Sequence, residues 1–442
     1  MKQTQPHPIP IVPMRRPVFR YACLTLLLTF AGCEPKEPAG PGEAPAAQAT
    51  ASRTDALEGG PYPTLLVAQA QFIWETDAAG KRTPRPGDAV LMIVRKTPEG
   101  WQTVTLEDPD SRVFHGAVPV AWEGEPAGFL TLGGTDAVLK QWHHADGQWH
   151  QTTLWRPNFG GTWSRLRDLA IGDVTGDGVD DLVLATHDQG VVAVLQRAET
   201  GWAVTELDRK PRVFVHEVEI ADVDGDGRNE FFATPSEPNL ATGLSQSGRI
   251  VMYRYEGTAF HGTLVDEPEG THVKEIMAVD ARGSGRPSLF AAVEARMELR
   301  DGKLVMVNPV EIREYRWEDG GFSARVVATL PDRQCRFLSA GDVDGDGKVD
   351  IVATGAESGV WVLRQGEADS WTATRIDAES SGFEHAALVA DIEGNGKYEI
   401  YVASDPQQEL RRYDWNGDRF ERQTVVKIPE DRITFSLAAG RY

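Results

Sequence analysis

Short apolar runs separated by polar segments recur along most of the chain, and their lengths are those of β-strands. Each run is rich in β-branched or aromatic residues. Four of them directly follow an acidic loop, at residues 182–185, 231–234, 351–354 and 400–403. Similar runs precede two of these loops, at residues 169–172 and 218–221. The pattern predicts an all-β protein in which each acidic loop joins two strands.

An aromatic residue that opens an alternating polar–apolar strand repeats at intervals of 48 to 62 residues. This period, with four short strands in each repeat, is typical of β-propeller blades. We interpret the aromatic side chains as packing between blades rather than as a ligand site. They are Trp101, Trp149, Trp202, Phe260, Phe322, Trp371 and Phe420.

The last repeat is incomplete, and the first residues of the predicted domain supply what it lacks. Residues 435–440 match the inner strand of other repeats, such as residues 337–341. Residues 63–73, 89–95 and 101–106 read as the three missing strands. We therefore expect a seven-bladed β-propeller over 62–442, closed by pairing of the C-terminal strand with the N-terminal blade.

The four acidic loops share one pattern of oxygen ligands. Side chains at positions 1, 3, 5 and 9 and a backbone carbonyl at position 7 surround a glycine at position 6, which suits Ca²⁺. The predicted ligands are Asp173, Thr175, Asp177, Val179 and Asp181; Asp222, Asp224, Asp226, Arg228 and Glu230; Asp342, Asp344, Asp346, Lys348 and Asp350; and Asp391, Glu393, Asn395, Lys397 and Glu399. We expect about four Ca²⁺ sites.

An EF-hand is excluded, because position 12 carries Leu184, Ala233, Ala353 or Val402 instead of glutamate. Two further repeats hold degenerate loops. The loop at 280–288 has Arg282 at the third ligand position, where a guanidinium could take the place of the ion. The segment 121–126 has lost the first ligand and is predicted to have lost the site.

The four intact loops resemble the FG-GAP/VCBS repeats, known from the head of integrin α-subunits and from bacterial surface proteins. The resemblance covers roughly residues 62–442 and is specific in the loops, whereas the Phe-Gly word occurs in isolation at Phe159-Gly160. It implies a propeller whose loops are structural calcium sites.

Acidic residues exceed basic ones by 21, since the chain has 66 Asp and Glu against 45 Lys and Arg. Such a charge excludes nucleic acid as an expected partner. Fourteen of the carboxylates stand at ligand positions of the four loops. Because they repel one another, a divalent ion is expected to stabilise the fold.

The N-terminal segment has the layout of a signal peptide. Arg15, Arg16 and Arg20 precede an apolar stretch at 21–32 that is too short to span a bilayer and ends in small residues before Cys33. We expect 1–32 to be removed and Cys33 to be lipidated, which would anchor the exported protein to the bacterial outer membrane. Export by the Sec or the twin-arginine route stays open.

Residues 33–61 are rich in Ala, Pro, Gly and Glu and read as a flexible tether. With Cys23 in the signal segment and Cys33 lipidated, Cys335 has no partner for an internal disulfide. We expect a monomer.

Six residues before each loop, where the inner strands begin, basic side chains recur around the expected channel. A ring of them would suit a carboxylate, sulfate or phosphate group. Acids that follow three of them, at 168, 217 and 275, leave open a set of local ion pairs instead. The ring comprises His115, Arg167, His216, Lys274, Arg336 and His385, with Phe435 in the closing blade.

No hydrolase, zinc-protease, phosphate-loop or dinucleotide motif occurs in the chain. The leading hypothesis is a calcium-stabilised, membrane-tethered propeller that binds a protein or an acidic glycan at the cell envelope. The alternative is a calcium-dependent, lyase-like polysaccharide enzyme that uses His216 or Lys274 as base at the channel mouth. A quinone-dependent dehydrogenase lacks its tryptophan-docking repeats.

Overall fold

The computed structural model describes residues 53–54, 62–76, 80, 82–160, 164–187, 189–238 and 242–442. The predicted signal segment 1–32 and Cys33 lie outside the described residues, as does the tether except for 53–54. The described residues divide into two compact units, one of residues 53–54, 62–73 and 86–442 and the other of residues 74–76, 80 and 82–85. In the second unit Arg85 contacts Glu75; the first unit holds the propeller.

Seven antiparallel sheets form the blades of the described part, six with four strands and one with five. Blade 1 consists of β31 (Arg432–Arg441), β2 (Pro63–Thr76), β3 (Arg82–Thr97) and β4 (Gly100–Asp108), with β1 (Arg53–Thr54) on its outer edge; blade 2 of β5 (Phe114–Val120), β6 (Gly128–Gly133), β7 (Leu139–Ala145) and β8 (Gln148–Trp155); blade 3 of β9 (Arg165–Gly172), β10 (Asp181–His187), β11 (Val192–Arg197) and β12 (Trp202–Asp208).

The remaining blades follow in chain order. Blade 4 consists of β13 (Phe214–Ala221), β14 (Glu230–Ser236), β15 (Ile250–Tyr255) and β16 (Phe260–Asp266); blade 5 of β17 (Val273–Val279), β18 (Ser288–Val293), β21 (Val310–Glu318) and β22 (Gly321–Leu330); blade 6 of β23 (Cys335–Gly341), β24 (Asp350–Gly355), β25 (Gly359–Gln365) and β26 (Trp371–Asp377); blade 7 of β27 (Ala387–Ala390), β28 (Glu399–Ser404), β29 (Glu409–Trp415) and β30 (Phe420–Lys427).

The first strand of each blade lies at the centre of the propeller. Each contacts the first strands of both neighbouring blades, in the cyclic order β31, β5, β9, β13, β17, β23, β27 and back to β31. This ring confirms the predicted seven-bladed, all-β fold. It also defines a central channel, lined by side chains of the inner strands.

Blade 1 joins the two ends of the domain, as the sequence predicts. β31 pairs antiparallel with β2 from Arg441 opposite Pro63 to Arg432 opposite Gln71. On the outer edge, β1 pairs with β4. Residues 53–54 therefore form a strand inside the segment that we expected to be an unstructured tether, since the free edge of β4 offers unpaired backbone groups to the chain.

The core lies between the blades. Every residue of β10, β18, β24 and β28 is buried, because each second strand is covered on both faces by neighbouring sheets. The aromatic markers open the exposed fourth strands and pack as predicted: Trp101 of blade 1 lies 6.3 Å from Tyr401 of blade 7, and Trp371 of blade 6 lies 5.7 Å from Phe290 of blade 5.

Blade 5 carries an additional hairpin that the sequence reading missed. β19 (Arg296–Arg300) pairs with β20 (Lys303–Asn308) between the second and third strands of the blade. Two 3₁₀ turns, Glu367–Asp369 and Asp405–Gln407, complete the structure. Among the described residues there is no helix long and apolar enough to cross a membrane.

Candidate functional site

The four acidic loops connect the inner strand to the second strand in blades 3, 4, 6 and 7, and they fold in one way. In each loop the position-1 carboxylate accepts the backbone N–H of position 6, at 2.8 Å from Gly178, 2.9 Å from Gly227 and Gly347, and 2.7 Å from Gly396. These four glycines have φ between +80° and +86°, a conformation that favours glycine.

Positions 5 and 9 complete the same scheme. The position-7 N–H donates to the position-5 side chain at 2.9 Å in all four loops. The position-9 carboxylate reaches back to the N–H of position 2, at 3.1 to 3.3 Å. The backbone therefore holds these ligand side chains in place by itself, which is the preorganisation that a metal site requires.

Among the ligand side chains of each loop, the one at position 9 is buried. Burial is the largest cause that raises the pKa of Asp181, Glu230, Asp350 and Glu399. The pKa of Asp350 rises to about 7, with the charges of Asp344 and Asp346 adding to the effect of burial. A bound cation would offset both causes, so the arrangement fits a metal ion.

Three carboxylates converge in two of the loops. Asp222, Asp224 and Glu230 place ligand oxygens within 4.8 Å of one another, and Asp342, Asp344 and Asp350 do the same. These acidic clusters could hold a metal ion. The first loop offers Thr175 at position 3, and its hydroxyl donates to Asp181 at 3.1 Å. Loops 2 and 3 are thus the best-formed candidate metal sites of the described residues.

A guanidinium from the third strand approaches three of the loops. Arg254 on β15 contacts Asp224 and lies 2.8 Å from Glu230. Arg364 on β25 lies 2.7 Å from Asp344. In the fourth loop Arg412 on β29 holds both Glu393 and Glu399, at 2.7 and 3.3 Å. Each arginine reduces repulsion within its loop.

The degenerate loop of blade 5 keeps the turn, but Arg282 forms its ion pairs with residues outside the loop. Asp280 accepts the N–H groups of Ser284 and Gly285 as in the intact loops. Arg282 instead contacts buried Glu314 on β21 and lies 2.7 Å from Asp369. Its Nη1 is 3.4 Å from Ser288 at position 9, so the guanidinium extends beyond the site that we expected it to fill.

Arg316 and Arg325 join the same network around Glu314 and Asp369. Although burial opposes the effect, hydrogen bonds from the three arginines lower the pKa of Glu314 to about 2. In blade 2, the degenerate segment 121–126 is held by Glu125, which accepts Gln141 at 2.8 Å and pairs with Arg197 at 3.1 Å.

At the opposite end of the inner strands, the predicted ring lies in β-bulges. The register of each inner strand shifts at the ring residue, which is left without a partner in the ladder at His115, Arg167, His216, Lys274, Arg336 and Phe435. A bulge redirects its side chain. His385 stands two residues before β27 with φ of +57°.

All six predicted basic residues are buried, at 0 to 6% exposure, and acids compensate their charge. Glu384 bridges Arg167 and Arg336, at 3.1 and 2.7 Å. Glu294 lies 3.6 Å from Arg336 and 3.7 Å from Lys274. The structure thus brings together three cations and two carboxylates, with Glu217 also 3.9 Å from Arg167. This arrangement is closer to the ion pairs that the sequence left open than to a purely positive ring.

The histidines of the ring carry little charge at neutral pH. Burial is the largest cause that lowers the pKa of His115 and His216 well below the usual value, and nearby cations add to it. Burial likewise lowers the pKa of His385 to about 4. His187, at the end of β10, joins them with its ring 4.6 Å from that of His216.

A layer of acids follows the ring along the channel and ties neighbouring blades together. Asp168 accepts the N–H of Val218 at 2.9 Å, and Glu275 accepts that of Leu338 at 2.9 Å. Glu219 accepts the N–H of Ala278 at 3.1 Å. Burial raises the pKa of Glu219 to about 8 and that of Glu217 and Glu275 well above the usual range.

The sequence pattern named Glu217, which lies 3.9 Å from Arg167, among the acids of the alternative ion pairs, but it missed Glu384 and Glu294. Glu384 directly precedes His385, and the same rule that found His385 could have included it. Glu294 follows β18, outside the inner-strand repeat. No periodic signal therefore marks it.

The FG-GAP-like repeat family matches residues 173–233 and 342–402, so the chain carries two such repeats, containing the first two intact loops and the last two. No curated protein matches the chain. The family match confirms the FG-GAP resemblance drawn from the loops.

Solved structures share the fold at low identity. A proposed 6-phosphogluconolactonase from Bacteroides uniformis is 13% identical, with a TM-score of 0.52 over 86% of this chain and 99% of that one. Another from Bacteroides fragilis is 13% identical, with a TM-score of 0.50 over 86% and 98%. A protein from Lactobacillus plantarum is 12% identical, with a TM-score of 0.51 over 86% of this chain and 99% of that one. At this identity the likeness supports the fold alone.

Proposed function

Because the chain is a seven-bladed β-propeller with FG-GAP-like repeats, we propose that it is a calcium-stabilised binding module, tethered to the membrane at the bacterial cell envelope. Its ligand is a glycan or a protein. The observation that carries the calcium part is the convergence of three carboxylates within 4.8 Å in each of two loops. Hard oxygen ligands on a glycine turn are the set that Ca²⁺ prefers.

In this proposal calcium has a structural role. The loops lie at one end of the inner strands, and hydrogen bonds join them to the next blade. Asn229 of blade 4 donates to the carbonyl of Asp173 in blade 3 at 2.9 Å, and Gln365 of blade 6 donates to the carbonyl of Ala281 in blade 5. An ion that neutralises a loop would stabilise these junctions. We assign ligand recognition to the other end, where the loops that the structure describes carry none of the carboxylate sites.

The membrane tether rests on the sequence before residue 62. Cys33→Ser is expected to abolish incorporation of a labelled fatty acid and to release the protein from the membrane fraction. Cys23→Ser is the matched control, because Cys23 lies in the segment that signal cleavage would remove. Equal labelling of both variants would contradict the lipid anchor.

The binding role is tested by applying the purified, calcium-loaded protein to an array of neutral and acidic glycans, with ultraviolet detection of unsaturated products. Saturable binding without products is the expected result. Unsaturated products would assign the lyase-like activity instead, although His216 and Lys274 are only 4% and 1% exposed. Absence of binding to every glycan would direct the search to protein ligands.

Alanine substitutions of the basic ring residues would not give a clear test of ligand binding. Arg167 and Arg336 neutralise Glu384, so removing them would leave a buried charge unpaired and destabilise the fold. Exposed side chains around the ring are the better targets.

A further inference from the structure

A cleft of about 220 Å³ opens beside the channel mouth of blade 5. Its walls come from the segment before β17, the ends of β18 and β21 that lie away from the acidic loops, and the base of the β19–β20 hairpin. The hairpin is the addition that distinguishes this blade, so the cleft exists because of an insertion into the repeat. Glu294, one of the lining residues, also belongs to the ion-pair network of the channel.

Glu294 stands between this cleft and the channel. The side chain is 8% exposed. Its Oε2 lies 3.5 Å from His272 and 3.7 Å from Lys274, whereas its Oε1 is buried and accepts no hydrogen bond. Arg336 approaches Oε1 only to 3.6 Å, beyond hydrogen-bond distance. Oε1 is thus closed to a ligand in the cleft, and Glu294 contributes other atoms of its side chain to the lining.

The charged groups of the cleft wall are already paired with acids. Arg313 lies 2.7 Å from Glu311 and 3.1 Å from Asp266. Arg296 lies 2.9 Å from Glu298 and 3.6 Å from Glu269. The wall therefore offers donors and acceptors without an excess of positive charge, which does not favour an anionic ligand.

The remaining groups of the wall suit a hydroxylated ring. Thr271 and Asn308 add neutral polar side chains, and Pro268 and Pro309 add rigid apolar surface. Hydroxyl groups both donate and accept, so they can match a wall that mixes carboxylates, guanidiniums and an amide. The volume is below the roughly 300–1,000 Å³ of clefts that bury a drug-sized ligand. It corresponds to a single small unit.

We propose that this cleft binds one neutral sugar residue of a glycan, with ring hydroxyls contacting Thr271, Arg296 and Asn308. The inference rests on the glycan form of the proposed function and names its site. It replaces the acidic glycan expected from the sequence with a neutral one.

The test measures binding of the full chain to neutral hexose oligosaccharides and to matched oligosaccharides that contain uronic acid, by titration calorimetry in calcium. Arg296→Ala is expected to weaken binding of the neutral sugars about tenfold, as loss of one good polar contact does. Arg300→Ala is the matched control, because Arg300 pairs with the same Glu298 from the same strand but does not line the cleft. It should bind like the wild type.

Asn308→Leu gives a second variant that does not touch the channel ion pairs. It places an apolar side chain in the cleft and is expected to abolish neutral-sugar binding at unchanged melting temperature. Wild-type binding by both Arg296→Ala and Asn308→Leu would overturn the site while leaving glycan binding itself established. Tighter binding of the uronic acid oligosaccharides would overturn the neutral ligand, and no binding of any sugar would refute the glycan function as well.

Discussion

At the residue scale, buried ionisable side chains give the stability of this protein its dependence on pH. The acids below the ring accept backbone N–H groups from neighbouring inner strands. Two of them, Glu219 and Glu275, have a raised pKa because burial disfavours their charged form, and the same holds for Glu217 in this layer. Glu219 is the member whose pKa, about 8, falls in an accessible range.

Replacing Glu219 by glutamine is expected to stabilise the protein at pH 8 and not at pH 5. Between its ordinary value and about 8, the folded state keeps the proton that the unfolded state releases, so wild-type stability falls as pH rises through this window. Glutamine keeps the acceptor for Ala278 and cannot ionise. A gain on the order of 3–5 kcal/mol is expected at pH 8.

The measurement is urea unfolding at pH 5, 6, 7 and 8 in saturating calcium. The exposed Glu199→Gln, in the turn between β11 and β12, is the control. A gain from Glu219→Gln that is the same at all four pH values would contradict the ionisation argument.

Arg282 offers a second test at this scale, because it links the degenerate loop to buried Glu314 and to Asp369. Arg282→Ala is expected to lower the free energy of unfolding by about 1–3 kcal/mol, equally with and without calcium. Arg286→Ala, exposed in the same loop, should have little effect. Thermal unfolding in calcium and in chelator distinguishes the two, and a loss seen only in calcium would assign a metal to this loop.

At the element scale, one loop design recurs in four blades, and its strong sequence signal explains why these elements were predictable. Glycines at fixed positions and oxygen side chains between apolar runs leave few other structures. The β-bulges have no such signal, because an extra residue in a strand changes pairing without changing composition. Five of the six basic ring residues lie on inner strands and His385 stands two residues before β27, while the burial of the ring and its partners Glu294 and Glu384 were not foreseen.

The β19–β20 hairpin was missed for a related reason. The interval between Phe260 and Phe322 is 62 residues, the longest in the series, which records an insertion in blade 5. Its strands alternate apolar residues on one face, with Met297 opposite Met306 and Leu299 opposite Leu304. That pattern resembles an ordinary blade strand, so length alone could have revealed it.

Asp344→Asn tests the loop design of blade 6. The amide keeps an acceptor for the N–H of Asp346 but removes a charge from the cluster, so the loop should still fold while calcium binds at least about tenfold more weakly there. Calorimetry should show one site fewer at micromolar calcium, and the rise in melting temperature on adding calcium should shrink. Asp301→Asn, at the tip of the β19–β20 hairpin, is the matched control.

If Asp344→Asn leaves calcium stoichiometry and stabilisation unchanged, the loop is not a calcium site. If Asp344→Asn lowers the melting temperature equally in calcium and in chelator, Asp344 stabilises the turn and does not bind calcium.

At the scale of the whole molecule, the propeller is a ring in which every blade needs two neighbours. β31 contacts both β5 and β27 and pairs with β2. The sequence predicted this closure because residues 435–440 repeat an inner-strand pattern whose sheet partners are found at 63–106. No free edge remains between the first and last blades.

Removing residues 430–442 is expected to abolish cooperative unfolding, since blade 1 loses its inner strand and β2 becomes an open edge. A synthetic peptide of residues 430–442 should restore the transition when added in excess. A scrambled peptide of the same composition is the control. A truncated protein that unfolds like the wild type would show that closure contributes little to stability.

The pairing of β31 with β2 also sets when the protein can fold during biosynthesis. Gln69 and Thr434, bonded across this pair, are 365 residues apart. At roughly 5–20 residues per second of synthesis, β2 waits about 20–70 s for its partner. Through that interval the nascent chain is an open array of sheets whose unpaired edges are prone to aggregation. Synthesis of β31 converts this array into a closed ring.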